Sequence, residues 1–288
     1  MRAFSTAVFF GLAASAMAVP GILLVGDSTV TTNKGWGTGF CADTTGLAQC
    51  TNLAVGGTTT VSWQAQPQFK TMLSKCKTAN TYALIQFGHN DRRKKHDYCP
   101  ILYQPSFLGQ QDQGERTSQT SAGCSPVLMT SLARRTFSSE RVTRDTLGPY
   151  SAETIKVASN MNLPLLPLLA DSLAYLNKLG KTNAAKFDFE SGDSTHLNAL
   201  GSKYFGRMVA DEVKAKVSAL SSHIKADAAI ILYYRFDFES GDSTHLNALG
   251  SKYFGRMVAD EVKAKVSALS SHIKADAALS QKLAAGTL

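Results

Sequence analysis

The string GDST stands three times in the chain, at 26–29, 192–195 and 241–244. At its first occurrence it follows the short apolar run 22–25, which reads as a strand buried on both faces of a parallel sheet. Ser28 would then sit at the C-terminal edge of that sheet, where open α/β folds build their sites, with its amide free to meet a substrate oxygen. The other two occurrences continue as GDSTHLN and precede a helix. They place Asp193 and His196, and again Asp242 and His245, one helical turn apart and able to face the same way. A carboxylate beside an imidazole fixes its tautomer and stabilises the imidazolium, which is the orienter and base half of a serine triad. Ser28 is therefore the nucleophile candidate. Ser194 and Ser243 are spacers inside an Asp-x-x-His motif.

Two further residues fit acyl chemistry. Gly56 ends the next apolar stretch and could offer a backbone N–H, since glycine permits close approach. Asn90, in GHND after the third, could donate its side-chain amide. With the Ser28 amide they would form a three-donor oxyanion hole, which typically contributes several kcal/mol to acyl transfer. Each piece read alone is also an ordinary turn. Their arrival in order, three at strand ends and one before the last helix, carries the reading. Ser28 has no Gly-x-Ser-x-Gly elbow around it, which argues against the common α/β-hydrolase type. No Cys/His spacing suggests zinc, so neither metal nor cofactor is expected.

Five segments must position these residues: ILLV (22–25), CTNLAVGG (50–57), YALIQFGHND (82–91), SPVLMTSLARR (125–135) and LPLLPLLADS (163–172). Helical stretches such as QPQFKTMLSKC and SAETIKVASNM fall between them. Alternating strands and helices predict an α/β fold with a parallel sheet. Residues 95–124 break the pattern, carrying prolines, glycines and polar clusters where a crossover helix is expected.

The C-terminal part is duplicated. Residues 187–229 recur letter for letter as 236–278. In each copy an apolar stripe runs at helical spacing: Phe205, Val209, Val213, Val217 and Leu220, then Phe254, Val258, Val262, Val266 and Leu269. One sheet face has one place for such a helix. The second copy must dock elsewhere, pair with another chain or leave its stripe exposed.

At the other end, Arg2 and the run AVFFGLAASAMA ending in Ala16-Met17-Ala18 read as a secretory signal cut before Val19. The run is too short to span a bilayer. The expected division is a signal peptide at 1–18, a catalytic domain at 19–229 and a duplicated block with its tail at 230–288. Five cysteines suit an oxidising compartment, with Cys41 and Cys50 close enough in sequence to staple a loop and an odd thiol left over. The formal charge of +8 suits a polyanion, and no nucleic-acid motif accompanies it. Anionic lipid and acidic polysaccharide both suit such a charge, which can equally serve only solubility; no membrane association is expected, and a monomeric state unless the duplicated helix pairs.

GDST at 26–29, Gly56 in NLAVGGTTT, FGHND at 87–91 and DSTHLN at 193–198 resemble blocks I, II, III and V of the SGNH (GDSL-type) hydrolases. QFGHND and THLNALGSKYFGRMVADEV resemble the secreted rhamnogalacturonan acetylesterase-like enzymes of carbohydrate esterase family 12. The resemblance spans about 21–94 and 125–229. It implies a flavodoxin-like three-layer α/β/α fold with a five-stranded parallel sheet, and a metal-free serine esterase. Ser28 would be the nucleophile, His196 the base and acid, Asp193 the orienter, and Ser28, Gly56 and Asn90 the oxyanion hole. The implied substrate is acetylated pectin, which Arg92, Arg93, Lys94 and Lys95 beside the third block would suit if they are more than a solvated loop. Two departures stand out: the duplicated Asp-x-x-His pair, of which the first is expected to complete the site, and the stretch 95–124. The alternatives are a GDSL-type lipase, lysophospholipase or thioesterase, and an inactive product of a damaged gene model.

Overall fold

The computed structural model describes residues 19–91 and 123–225, together with parts of 255–285. Five strands form one sheet: β1 (Gly21–Gly26), β2 (Gln49–Asn52), β3 (Thr81–Gln86), β4 (Ser125–Met129) and β7 (Leu165–Leu166). All pairings are parallel, in the order β2-β1-β3-β4-β7. The chain therefore moves to one edge after β1 and returns past it to β3, and the crevice at such a reversal is where α/β sheets bind ligands. A two-stranded antiparallel ribbon, β5 (Phe137–Ser139) and β6 (Val142–Thr143), leaves the chain beyond β4.

β1 shows why the molecule has three layers. Alternate residues of a strand point to opposite faces. Ile22 and Leu24 enter a core with Trp36, Phe40, Phe205, Val209 and Val213. Leu23 and Val25 enter a second core with Trp63, Met72, Ile85 and Ala158. The first core is covered by α1 (Gly37–Thr44), α4 (Leu168–Ala184) and α5 (Ala199–Lys216), the second by α2 (Pro67–Lys75) and α3 (Gly148–Asn160). The expected three-layer α/β/α architecture is what the chain adopts.

The stripe of α5 docks as its spacing predicts. Phe205, Val209 and Val213 are fully buried, but the helix ends at Lys216 and a 3₁₀ turn, Ser218–His223, carries Leu220 into the core instead. Asn198 caps α5 by accepting the Gly201 amide at 2.9 Å. Gly39 of α1 and Gly206 of α5 let the two helices cross closely. A Cβ on Gly39 would collide with the Ser202 backbone, and one on Gly206 with that of Gly39 and Phe40.

Two expected strands are shorter than their apolar runs. SPVLMTSLARR is strand only to Met129. LPLLPLLADS gives two strand residues before Pro167, which lacks an N–H for the ladder, sits at the N-cap of α4 and hands the rest of the run to a helix. Disulfides join Cys41 to Cys50, as the sequence suggests, and Cys76 to Cys124. The first ties α1 to β2. The second ties the end of α2 to the residue before β4. Residues 1–18, 92–122 and 226–254 lie outside the described residues, and with them the signal segment, Cys99, Arg92, Arg93, Lys94, Lys95, Asp242 and His245.

Candidate active site

Ser28 sits in the tight turn that ends β1. Asp27 shapes this turn, its Oδ1 accepting the Thr29 amide at 2.9 Å and the Thr29 hydroxyl at 2.8 Å. The Thr31 hydroxyl donates to the Ser28 carbonyl at 2.6 Å. The serine side chain is thereby presented at the sheet edge, 2.9 Å from Nε2 of His196. On the far side of the ring, Nδ1 of His196 lies 2.9 Å from Oδ2 of Asp193. The other carboxylate oxygen accepts the amides of Thr195 and His196, both at 3.0 Å. Burial raises the carboxyl's pKa, but these bonds and the imidazole outweigh it and hold Asp193 below the usual carboxylate range. It stays ionised at neutral pH, which suits an acceptor for Nδ1–H.

The loop bearing Asp193 and His196 is fastened at many points. The Leu197 amide donates to the carbonyl of Lys34 at 2.8 Å, the Asn198 amide to that of Phe187 at 3.0 Å, and the Phe189 amide to that of His196 at 3.0 Å. Lys34 also lies over the Phe189 ring, 4.5 Å from its centroid. The segment after β4 contributes two arginines. Arg134 donates Nη2 to the His89 carbonyl at 3.1 Å and Nε to the Thr195 hydroxyl at 3.3 Å. Arg135, only 6% exposed, reaches Asp188, Asp193 and His196.

Of the donors expected for an oxyanion hole, Gly56 stands beside Ser28 and Asn90 is bonded to the same loop. A Cβ on Gly56 would stand 3.7 Å from Cβ of Ser28. The next residue, Gly57, turns the chain with φ +77°, a conformation that favours glycine. Asn90 donates Nδ2 to the Thr58 carbonyl at 2.9 Å, which stitches the loop after β3 to the loop after β2. Its amide carries a second N–H.

Beneath this rim lies a buried polar layer. Gln86 donates to the Thr29 hydroxyl at 2.6 Å and accepts from the Trp36 indole at 3.0 Å. His89 Nδ1 is 3.6 Å from Asp27. Burial would raise Asp27's pKa, yet His89 and Thr29 hold it below its ordinary value. Asp91 accepts the Thr60 amide at 3.0 Å and hydroxyl at 2.7 Å, and its burial pushes its pKa up despite these bonds.

Ser28, Gly56, Asn90, Asp193 and His196 are thus brought together at one sheet edge. Asp27, His89, Asp91, Arg134 and Arg135 were not singled out from the sequence. For the two arginines the available signal was the one already applied to the first three strands, that polar residues just beyond a strand's C-terminal end face the site.

No known family profile matches the chain. Rhamnogalacturonan acetylesterase RhgT of Bacillus subtilis is 25% identical over 222 residues, covering 70% of this chain and 93% of that protein. Protein YXIM from Bacillus subtilis, a solved structure, superposes with a TM-score of 0.58 at 24% identity. The chain shares its α/β/α fold with that protein. In sequence it is similar to a rhamnogalacturonan acetylesterase. The match covers 68% of this chain but spans only 56% of the length of YXIM. Axe2, an acetylxylan esterase from Geobacillus stearothermophilus, is more distant, at 17% identity and a TM-score of 0.46, covering 67% of this chain and 94% of its own.

Proposed function

We propose that this chain is a secreted serine esterase that removes O-acetyl groups from acetylated rhamnogalacturonan in pectin. The observation that carries the reading is the line of contacts from Ser28 Oγ through His196 to Asp193, 2.9 Å at each step. The similarity to an acetylesterase over most of both chains supports the acyl group and the sugar class.

The chemistry follows from the arrangement. Ser28 Oγ attacks the acetyl carbonyl carbon while its proton passes to Nε2 of His196. Asp193 accepts the Nδ1–H and stabilises the imidazolium. The carbonyl oxygen, now an oxyanion, is met by the amides of Ser28 and Gly56 and by the free N–H of Asn90. His196 returns its proton to the departing sugar hydroxyl, leaving acetyl-Ser28. Water activated by His196 then releases acetate. The formal charge of +8 suits a galacturonate polymer.

Acetate release from acetylated pectin tests the reading directly. The parent should release acetate, and Ser28→Ala should fall by at least ~10⁴-fold in kcat/KM. A folded parent that releases nothing, or that prefers long acyl esters, overturns the substrate assigned.

A further inference from the structure

Arg135 follows β4 and is almost wholly buried. Its guanidinium touches three points of one loop. Nε donates to Asp188 Oδ1 at 2.7 Å, and Nη2 donates to the carbonyl of Asp193 at 2.8 Å and to that of His196 at 2.6 Å. Its own amide donates to the Ser194 carbonyl at 2.8 Å. Four contacts thus tie one residue to the short span that holds both Asp193 and His196. Two of them land on the backbone of those residues. A planar fork of fixed geometry suits this task and an ammonium does not, because only the fork reaches several acceptors at set angles. Asp188 balances the buried charge and anchors the other end of the loop through the Asp188–Leu197 bridge.

We infer that Arg135 is a positioning residue for the hydrolysis proposed above, clamping the Asp193–His196 loop so that the imidazole stays in line with Ser28. The inference rests on that reading of the site. Arg135 touches no reacting atom, so its loss should be felt in turnover and not in substrate binding. A displacement of about 1 Å in a catalytic group can cost roughly 100-fold in rate.

The test compares parent, Arg135→Lys and Arg135→Met on 4-nitrophenyl acetate and acetylated pectin, with thermal melting and the low-field ¹H NMR signal of the His196 Nδ1–H. That signal is assigned by its absence in His196→Ala. Arg135→Met should lose about 100-fold in kcat with KM within twofold, and the low-field signal should broaden away in a protein that still melts cooperatively. Arg135→Lys should lie between the two, at roughly tenfold below parent. If Arg135→Met does not fold, Arg135→Lys decides by the same readouts. A folded variant with kcat within threefold of parent and an unchanged signal overturns the clamp, as does a rise in KM at constant kcat. An inactive parent instead refutes the esterase reading, and the parent's signal and its loss in the variants still test the clamp.

Discussion

Val209 and Val258 occupy the same position in two identical sequences. Val209 is fully buried against the sheet, whereas Val258 is 59% exposed. Gly206 is pressed against the α1 backbone, whereas a Cβ on its counterpart Gly255 would meet nothing within 4 Å among the described residues. What the two copies share is local: Arg207 pairs with Asp211, and Arg256 pairs with Asp260 one turn on. Side-chain pairs four residues apart form wherever the helix forms. Burial of the stripe requires a sheet face, and α5 occupies it. Identical residues are thus helical at 206–207 and 209–211 and again at 255–256 and 258–260, with different tertiary roles.

The largest effect expected to test this difference is catalytic. His196→Ala should lower kcat/KM by at least ~10⁴-fold, while His245→Ala should leave it within twofold of parent, both read as acetate release. The reverse outcome would mean that the second copy completes the site. A smaller effect, of opposite sign in the two copies, is expected from one substitution. Gly206→Ala should destabilise by about 1–3 kcal/mol, since the new methyl meets backbone that cannot yield. Gly255→Ala should be neutral or stabilise by up to ~1 kcal/mol through helix propensity. Denaturant unfolding checks both, and equal effects would break the comparison.

The smallest effect concerns the carboxyl that docking buries. Burial, then the neighbouring Asp171 and Asp211, pushes the Glu212 pKa up to about 9. The unfolded chain releases this proton in the ordinary carboxylate range, so the protonated carboxyl's contribution is complete below that range. It is lost as pH climbs toward 9. Glu212→Gln should flatten that decline, with a gain of roughly 1–2 kcal/mol at pH 8 and none at pH 4. Melting temperature against pH reads the difference.

The sequence and the structure agree where information is local. Ser28, Gly56 and Asn90 were legible because each directly follows a strand-like run, and Asp193 and His196 because they share one turn. The order of strands and helices was legible from the alternation. Helix α4 was not, because a short continuous apolar run such as LPLLPLLADS fits a buried strand and a buried helix equally well. Helix α1 hides in GTGFCADT, whose glycines read as loop and whose place is fixed by packing against α5. Arg135 was hidden for another reason. Its partners are mainly carbonyl oxygens of a distant loop, and any residue supplies a carbonyl. Only the folded chain shows which ones it meets.

The bridge between Cys76 and Cys124 has a consequence for how this protein can change. It fastens the end of α2 to the start of β4, so the strand pairing of β3 with β4 is bracketed by a covalent tie. Once the ends of a connection are pinned, lengthening it further adds little entropic cost, because closure entropy grows only with the logarithm of length. Within the interval it encloses, the stretch between Asp91 and Cys124, past β3 and the Asn90 rim, is then where residues can be gained, lost or exchanged while the sheet beneath the Ser28 edge keeps its register.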